Sequence, residues 1–554
     1  MTKTLHVISH THWDREWYLT FQQFRLKLVQ LVDGLLDILE KDKNFKYFML
    51  DGQTIVLDDY LHMRPEKFDV LRDHVQKGRL IIGPWHILPD MFLVSPEAHI
   101  RNLLEGERTS RKFGPKMMIG YMPDSFGHIG QMPQILRGFG IPAACLWRGL
   151  DDQPPEFWWQ APDGSQVLML YLRDSYSNGA SLPAEDPARF ADILAKQGNS
   201  LAPLSFADDL LIMYGTDHMA PSPATGAAIA YANRALKDFR VIHSTLPATL
   251  RAIQKKFNAE NTALPVVEGE LRSSKRSHLL PGVLSTRMWI KQRNRASETL
   301  LEKWAEPAAA LGEWLTRDHA LTIPSRIANP APLVRQAWRL LMEIHPHDSI
   351  CGCSIDQVHT EMHPRFDQVD QIGEELTRQG LAAISAAIHT QPPVGGFLTA
   401  LVVFNPTHTP RTDRVEADLG LPEDIEDFEI VDETLKLLPH QVTGTGRREL
   451  VNITLEKRAL FDAFGAIHDG RVSGMVIKRI RIEPGAPTAA IHATLDEHGE
   501  PNLAEWQAAL QTINQLLEDP TVENFHVRAF TGAAARIVFS APGIPAHGWR
   551  VFWV

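Results

Sequence analysis

Long apolar runs are missing from this chain. No stretch of about 18 consecutive apolar residues occurs, so no membrane-spanning helix is expected. Cysteine is scarce: Cys145, Cys351 and Cys353 are the only three in 554 residues, too few for a disulfide framework. The Cys351-x-Cys353 spacing is shorter than that of zinc-binding pairs and has no second pair, so both read as reduced structural thiols. Basic residues do not predominate either. Lys and Arg number 56 against 67 Asp and Glu, a net charge of -11, with no basic block to neutralise phosphates, and a nucleic-acid partner is therefore not expected. The opening MTKTLHVISHTHWD lacks the basic region, long apolar core and cleavage site of a secretory leader. These absences together predict a cytoplasmic protein with no membrane partner. No internal repeat or low-complexity tract is present.

What remains is ordinary for a globular protein: 44% apolar and 22% charged residues, in a length that accommodates roughly three or four domains. Up to about residue 270, short apolar runs alternate with longer helix-like segments. Candidate strands are Leu5–Ser9, Tyr47–Leu50, Leu80–Ile82, Met118–Tyr121, Ala143–Leu146, Val167–Leu172 and Leu210–Tyr214. Between the first two, Leu28, Leu31, Val32, Leu35, Leu36 and Leu39 recur at a helical period. Strands alternating with helices predict a parallel sheet, open or closed into a barrel. Three long segments then look helical, Arg287–Thr316, Pro332–Ile344 and Ile355–His389, as in a small bundle. After a Pro- and Gly-rich linker at 391–396, shorter strand-like segments follow: Leu398–Phe404, Phe428–Asp432, Leu450–Leu455 and Met475–Ile482. The expected organisation is an α/β domain at 1–283, a helical domain at 284–390 and a β-rich domain at 397–554.

Unusual polar residues fall just after the candidate strands: His10, His12 and Asp14 after the first, Asp124 after the fourth, Arg148 after the fifth and Asp217 after the seventh. In parallel α/β sheets ligands bind at the carboxyl ends of the strands, so these residues are expected to converge. In SHTHWDREW, His10, His12 and Asp14 lie two apart, hence on one face of an extended chain. Imidazole and carboxylate are zinc ligands, although a pair of satisfied strand-end histidines fits the same letters. Asp124 in GYMPDSFGH reads equally as a helix cap. In EIHPHDSICGCSID, His345, His347 and Asp348 end an amphipathic helix that Pro346 breaks, a place where histidine also serves as a dipole partner. Asp217 in MYGTDHMAP is a second strand-end carboxylate, or a solvated loop residue. One carboxylate on a metal and one free would suit a retaining glycosidase.

Taken together, these four segments resemble family 38 α-mannosidases, especially the bacterial branch that includes mannosylglycerate hydrolases. The resemblance runs from His6 to about His359 and takes in FMLDGQTIVLDDYL, RLIIGPWHILPD, WRGLDDQPPEFWWQAPDGS and GVLSTRMWIKQRN. It implies a seven-stranded, barrel-like parallel β/α catalytic domain, a three-helix bundle and a β-sandwich-like domain. Family members continue for several hundred residues beyond the bundle, so the β-rich segment corresponds to part of what the family carries.

The resemblance also implies roles. His12, Asp14, Asp124 and His347 would hold one Zn²⁺ per chain. Asp124 would also be the nucleophile and Asp217 the general acid, while Trp17 would stack under the sugar, Arg148 orient the nucleophile and Asp348 contact substrate. The implied reaction is hydrolysis of terminal α-mannosides by a zinc-dependent, retaining exo-α-mannosidase, through a mannosyl-enzyme intermediate. In the family, the metal takes the 2- and 3-hydroxyls, which mannose presents on one side of its ring. The partner is then an α-mannoside or a mannose-containing oligosaccharide, and family members often form homo-oligomers. Two rival readings are a zinc amidohydrolase or deacetylase, with water as nucleophile, and a sugar-binding remnant without turnover.

Overall fold

The first strand, Lys3–Thr11 (β1), is buried without interruption from Leu5 onward. Continuous burial of this kind belongs to a parallel strand covered on both faces. The computed structural model describes residues 2–318, 328–420, 427–465, 467–496, 501–532 and 534–554. After β1 come β2 (Phe48–Leu50), β3 (Leu80–Ile81), β4 (Gly120–Met122), β5 (Ala143–Leu146), β6 (Glu156–Gln160), β7 (Gln166–Tyr171), β8 (Asp209–Tyr214), β9 (Phe239–His243) and β10 (Val266–Glu268). The seven strands expected from the apolar runs are present, and β6, β9 and β10 are additional.

These strands form two hydrogen-bonded sheets. In the first, parallel β8 and β9 flank the opening residues of β1, β2 takes over at His10 and Thr11, and β3 extends β2. In the second, β4, β5 and β7 run parallel, β6 lies antiparallel to β7, and β10 pairs with β6. One apolar core serves both sheets: Ile8, Met49 and Met213 of the first pack with Tyr121, Ala143, Cys145, Leu168 and Leu170 of the second. A bond from Met117 N–H to the Ile82 carbonyl (2.8 Å) joins the chain past β3 to the approach to β4. Helix Phe21–Lys41 buries the whole anticipated stripe, Leu28 to Leu39, together with Phe24. Burying such side chains contributes about 1.5–3 kcal/mol each.

The helical middle packs onto this framework within the same compact unit, Met1–Ile384. Its first long helix runs Met288–Thr299, passes through a π-helical stretch at Leu300–Ala305 and continues as Glu306–Asp318. Helices Ala331–Met342 and Met362–Ala386 join it, and Trp338, Leu341, Phe366 and Val369 share a core with Ile87 and Phe126. One detail differs from expectation. His347 does not end the preceding helix, which stops at Met342, but begins a short helix, His347–Cys351. Pro346 precedes it at φ -48°, and a proline suits the entry to a helix better than its interior.

The second unit, Ser385–Val554, is β-rich. A four-stranded and a three-stranded sheet share a core around Ile537, Phe539 and Phe552, and a five-stranded sheet packs with helix Leu503–Glu518 around Trp506, Ile513 and Phe525. Among the described residues no helix is long and apolar enough to cross a membrane.

Candidate active site

Parallel strands deliver their carboxyl ends to one edge, and here that edge gathers the residues that follow β1, β4, β5 and β8. Gly215, just past β8, lets this happen. A Cβ there would lie 2.0 Å from the His10 carbonyl oxygen, so the two chains touch backbone to backbone. The contact continues as a parallel bridge between His12 and Asp217, with His12 N–H donating to Thr216 O (3.1 Å) and His218 N–H to His12 O (2.8 Å). The short helix after Pro346 enters from the other side. It is positioned by an antiparallel bridge between Pro89 and Pro346 and by Asp90 N–H donating to His345 O.

His12, Asp14 and His347 each aim one ligand atom at a common point, the three atoms lying within 4.8 Å of one another. Nε2 of His12 is 3.1 Å from Asp14 Oδ1, and Nε2 of His347 is 3.5 Å from the same oxygen. The two imidazoles stack with centroids 5.4 Å apart. Among the described residues, Nε2 of His12 and both ring nitrogens of His347 are buried without a hydrogen-bond partner. Orphaned buried nitrogens are costly unless something takes their lone pairs, and this donor set of two imidazoles and a carboxylate is one that zinc accepts. Asp124 stands beside the group with Oδ2 3.8 Å from His347 Nε2. Its Oδ1 accepts from Arg148, at 2.7 Å from Nε and 2.5 Å from Nη2. Arg148 also donates to the His278 carbonyl and lies over the Trp147 ring.

The local field favours positive charge. Burial alone would lower the proton affinity of His347, yet Asp348, Asp14 and Asp124 prevail and raise it; Asp51 and Asp14 do the same for His12. Burial would raise the Asp14 carboxyl, but His12 and His347 hold it well below the ordinary carboxylate range. Asp348, with Oδ2 4.0 Å from His347 Nε2, is pushed up to about 7 by burial. A field that draws protons onto imidazoles equally suits a divalent cation.

Of the residues singled out in the sequence, His12, Asp14, His347, Asp348, Asp124 and Arg148 thus lie together. Asp217 joins them through the bridge to His12 and accepts from the Tyr176 hydroxyl at 2.7 Å. Trp17 is half-buried near the rim, edge-on to Tyr18, and its carbonyl accepts from Ile355 N–H. His10, by contrast, turns away. Its Nε2 bonds the Tyr176 carbonyl (2.9 Å), and burial depresses its pKa to about 4.

Three further residues escaped the sequence reading. Asp51, immediately after β2, holds the far nitrogen of His12; the strand-end rule that found Asp124 would have found it too. His218 sits at φ 56°, stacked on Phe24, with Nε2 3.2 Å from the Asp14 carbonyl. Tyr176 packs its ring 5.2 Å from that of His12, and burial together with Asp124 and Asp217 keeps its phenol protonated. An aromatic residue in a loop carries no periodic signal that could have marked it.

Residues 2–266 match the glycosyl hydrolases family 38 N-terminal domain, and residues 278–384 the alpha mannosidase middle domain. A protein of Halalkalibacterium halodurans, provisionally named a mannosylglycerate hydrolase, is 41% identical over 410 residues, which cover 70% of this chain and 44% of the relative. Human alpha-mannosidase 2C1 is 24% identical over 392 residues, 69% of this chain and 35% of the relative. The chain therefore spans less than half the length of these curated relatives. The crystal structure of an alpha-mannosidase from Enterococcus faecalis superposes with a TM-score of 0.76 at 29% identity, over all of this chain and 56% of that one.

Proposed function

The chain belongs to glycosyl hydrolase family 38, and from that premise we propose that it is a zinc-dependent, retaining exo-α-mannosidase working through a mannosyl-enzyme ester on Asp124. The observation that carries the reading is the Asp124 carboxylate, held by Arg148 on one oxygen and facing the His12–Asp14–His347 group with the other. Residues 1–283 are assigned as the barrel-like catalytic domain, with β6, β9 and β10 beyond the seven strands expected, 284–390 as a three-helix bundle and 397–554 as a β-sandwich-like domain. Its three free cysteines support an assignment to the cytoplasm.

His12, Asp14, His347 and Asp124 are the residues that would hold the zinc. When bound there, it supplies positive charge and Lewis acidity toward substrate hydroxyls. The remaining chemistry belongs to the chain. Arg148 fixes the rotamer of Asp124, whose carboxylate attacks the anomeric carbon as the glycosidic C–O bond breaks. Asp217 gives its proton to the departing oxygen, then removes one from the water that attacks the same carbon and releases Asp124. Tyr176, donating to Asp217, fixes the carboxyl that moves the proton. Trp17 and Asp348 are assigned to the sugar, as platform and hydroxyl partner.

The test is hydrolysis of p-nitrophenyl α-mannoside by the purified protein, with and without chelator and added zinc, beside Asp124→Ala. Zinc-dependent release that is absent from the variant, with α-mannose as the first product seen by proton NMR, is the expected result. Release undiminished in Asp124→Ala, or β-mannose as first product, overturns the mechanism. Mannosylglycerate and mannobioses then separate the aglycones.

A further inference from the structure

We propose that Asp51 is a positioning residue that sets the tautomer of His12 and so presents its Nε2 lone pair to the metal; the inference rests on the zinc reading above. Asp51 is fully buried just past β2. Nδ1 of His12 lies 3.0 Å from its Oδ1 and 2.9 Å from its Oδ2. Oδ2 also accepts from Trp13 N–H (2.7 Å) and from Gln53 Nε2 (2.9 Å), and the same amide of Gln53 donates to the Trp13 carbonyl (2.8 Å). A carboxylate only accepts. The proton of a neutral His12 must then sit on Nδ1, which leaves Nε2 bare where it faces Asp14 and His347. Carboxylate–histidine pairs of this kind fix ring orientation and ligand basicity at metal sites.

The surroundings of Oδ2 give this role a signature that loss of packing cannot imitate. In Asp51→Asn, two donors, Trp13 N–H and the Gln53 amide, still require an oxygen at the Oδ2 position. The new NH₂ then takes the Oδ1 position, the one to which Nδ1 makes its hydrogen bond. Nδ1 becomes the acceptor, and the proton is driven onto Nε2, the atom meant for the metal. In Asp51→Ala no such demand exists; water can enter the space and His12 is free to choose the productive tautomer. Asn also tolerates the left-handed backbone at this position (φ 51°) better than Ala. The nearly isosteric variant is therefore the more stable of the two and the poorer metal binder.

Zinc affinity measured against a chromophoric chelator, together with urea stability, tests this on the full chain. Asp51→Ala is expected to weaken zinc binding about tenfold and Asp51→Asn about a hundredfold, while Asp51→Asn remains the more stable variant. Asp51→Asn binding zinc as tightly as wild type, or more tightly than Asp51→Ala, overturns the inference alone. Wild type that binds no zinc overturns the functional reading and this inference with it. Should the variants fail to fold, the zinc-loaded wild type labelled with ¹⁵N-histidine decides. His12 is expected to show a protonated Nδ1 and a metal-bound Nε2, and the reverse assignment refutes the proposal.

Discussion

Removing the guanidinium of Arg365 should destabilise the N-terminal unit far more than an ordinary ion pair would. Glu16 lies in the first motif, two residues past Asp14, and is fully buried. It accepts from Arg365 through both terminal nitrogens, at 2.7 and 2.6 Å, and from Ser349 Oγ at 2.9 Å. Arg365 belongs to helix Met362–Ala386, and Ser349 lies two residues past His347. One carboxylate thus ties the β1 motif to the segment carrying the other histidine. Arg365→Met leaves that carboxylate buried with one neutral donor. Breaking a buried pair from one side costs about 3–5 kcal/mol, roughly two to nearly four orders of magnitude in the folding equilibrium. Removing both charges, Glu16→Leu with Arg365→Met, costs much less because no charge is stranded. The assay is urea denaturation of wild type, both single variants and the double variant, followed by tryptophan fluorescence. The pair also leaves a pH signature. Burial raises the Glu16 carboxyl, but Arg365 prevails and holds it below its ordinary value. A depressed carboxylate stabilises above its unfolded pKa, and that contribution is lost as pH falls through the folded one. The gap between wild type and Arg365→Met should accordingly narrow in acid. An Arg365→Met loss under about 1 kcal/mol, or strictly additive single variants, would refute the argument.

Three more outcomes are expected. Arg148→Met should lower kcat/KM on an activated mannoside by about 10² through misplacement of Asp124, with Arg148→Lys restoring only part because a point charge cannot supply two parallel N–H groups; unchanged turnover would remove Arg148 from the site. Glu298, raised to about 7 by burial from an ordinary 4.5, keeps its proton in the folded protein between those two values, where the unfolded chain has lost it. Stability should then fall by about 3 kcal/mol as pH rises through that window, and Glu298→Gln should flatten the fall in a pH series of urea melts. Gly215→Ala drives a methyl onto the His10 carbonyl at 2.0 Å, so thermal melting should show a loss of about 3 kcal/mol and chelator competition a weakened metal site; a wild-type profile in both would mean the chain end of β8 is freer than it looks.

The sequence made much of the fold legible through period and position. The stripe in Phe21–Lys41 and the seven apolar runs announce their elements because burial on one helical face, or on both faces of a parallel strand, needs apolar residues at those spacings. β6, β9 and β10 are not announced in this way; β6 owes its place to antiparallel pairing with β7, a long-range contact that no local pattern encodes. The helix that ends at Met342 is legible to within two residues, because Pro346 cannot continue it, whereas the bridge between Pro346 and Pro89 joins segments distant in the chain and leaves no local trace.

By itself, then, the sequence determined the α/β class, the polar residues at strand ends and, through matched motifs, the family. Tertiary structure alone decided which of those residues share a site. His10 and His12 are equivalent letters on one strand face, yet His10 spends its nitrogen on the Tyr176 carbonyl while His12, gripped from behind by Asp51, turns a bare nitrogen toward Asp14 and His347. A side chain's lone pairs are directed by whichever donors and acceptors surround it in space, and those come from chain segments that only folding brings together.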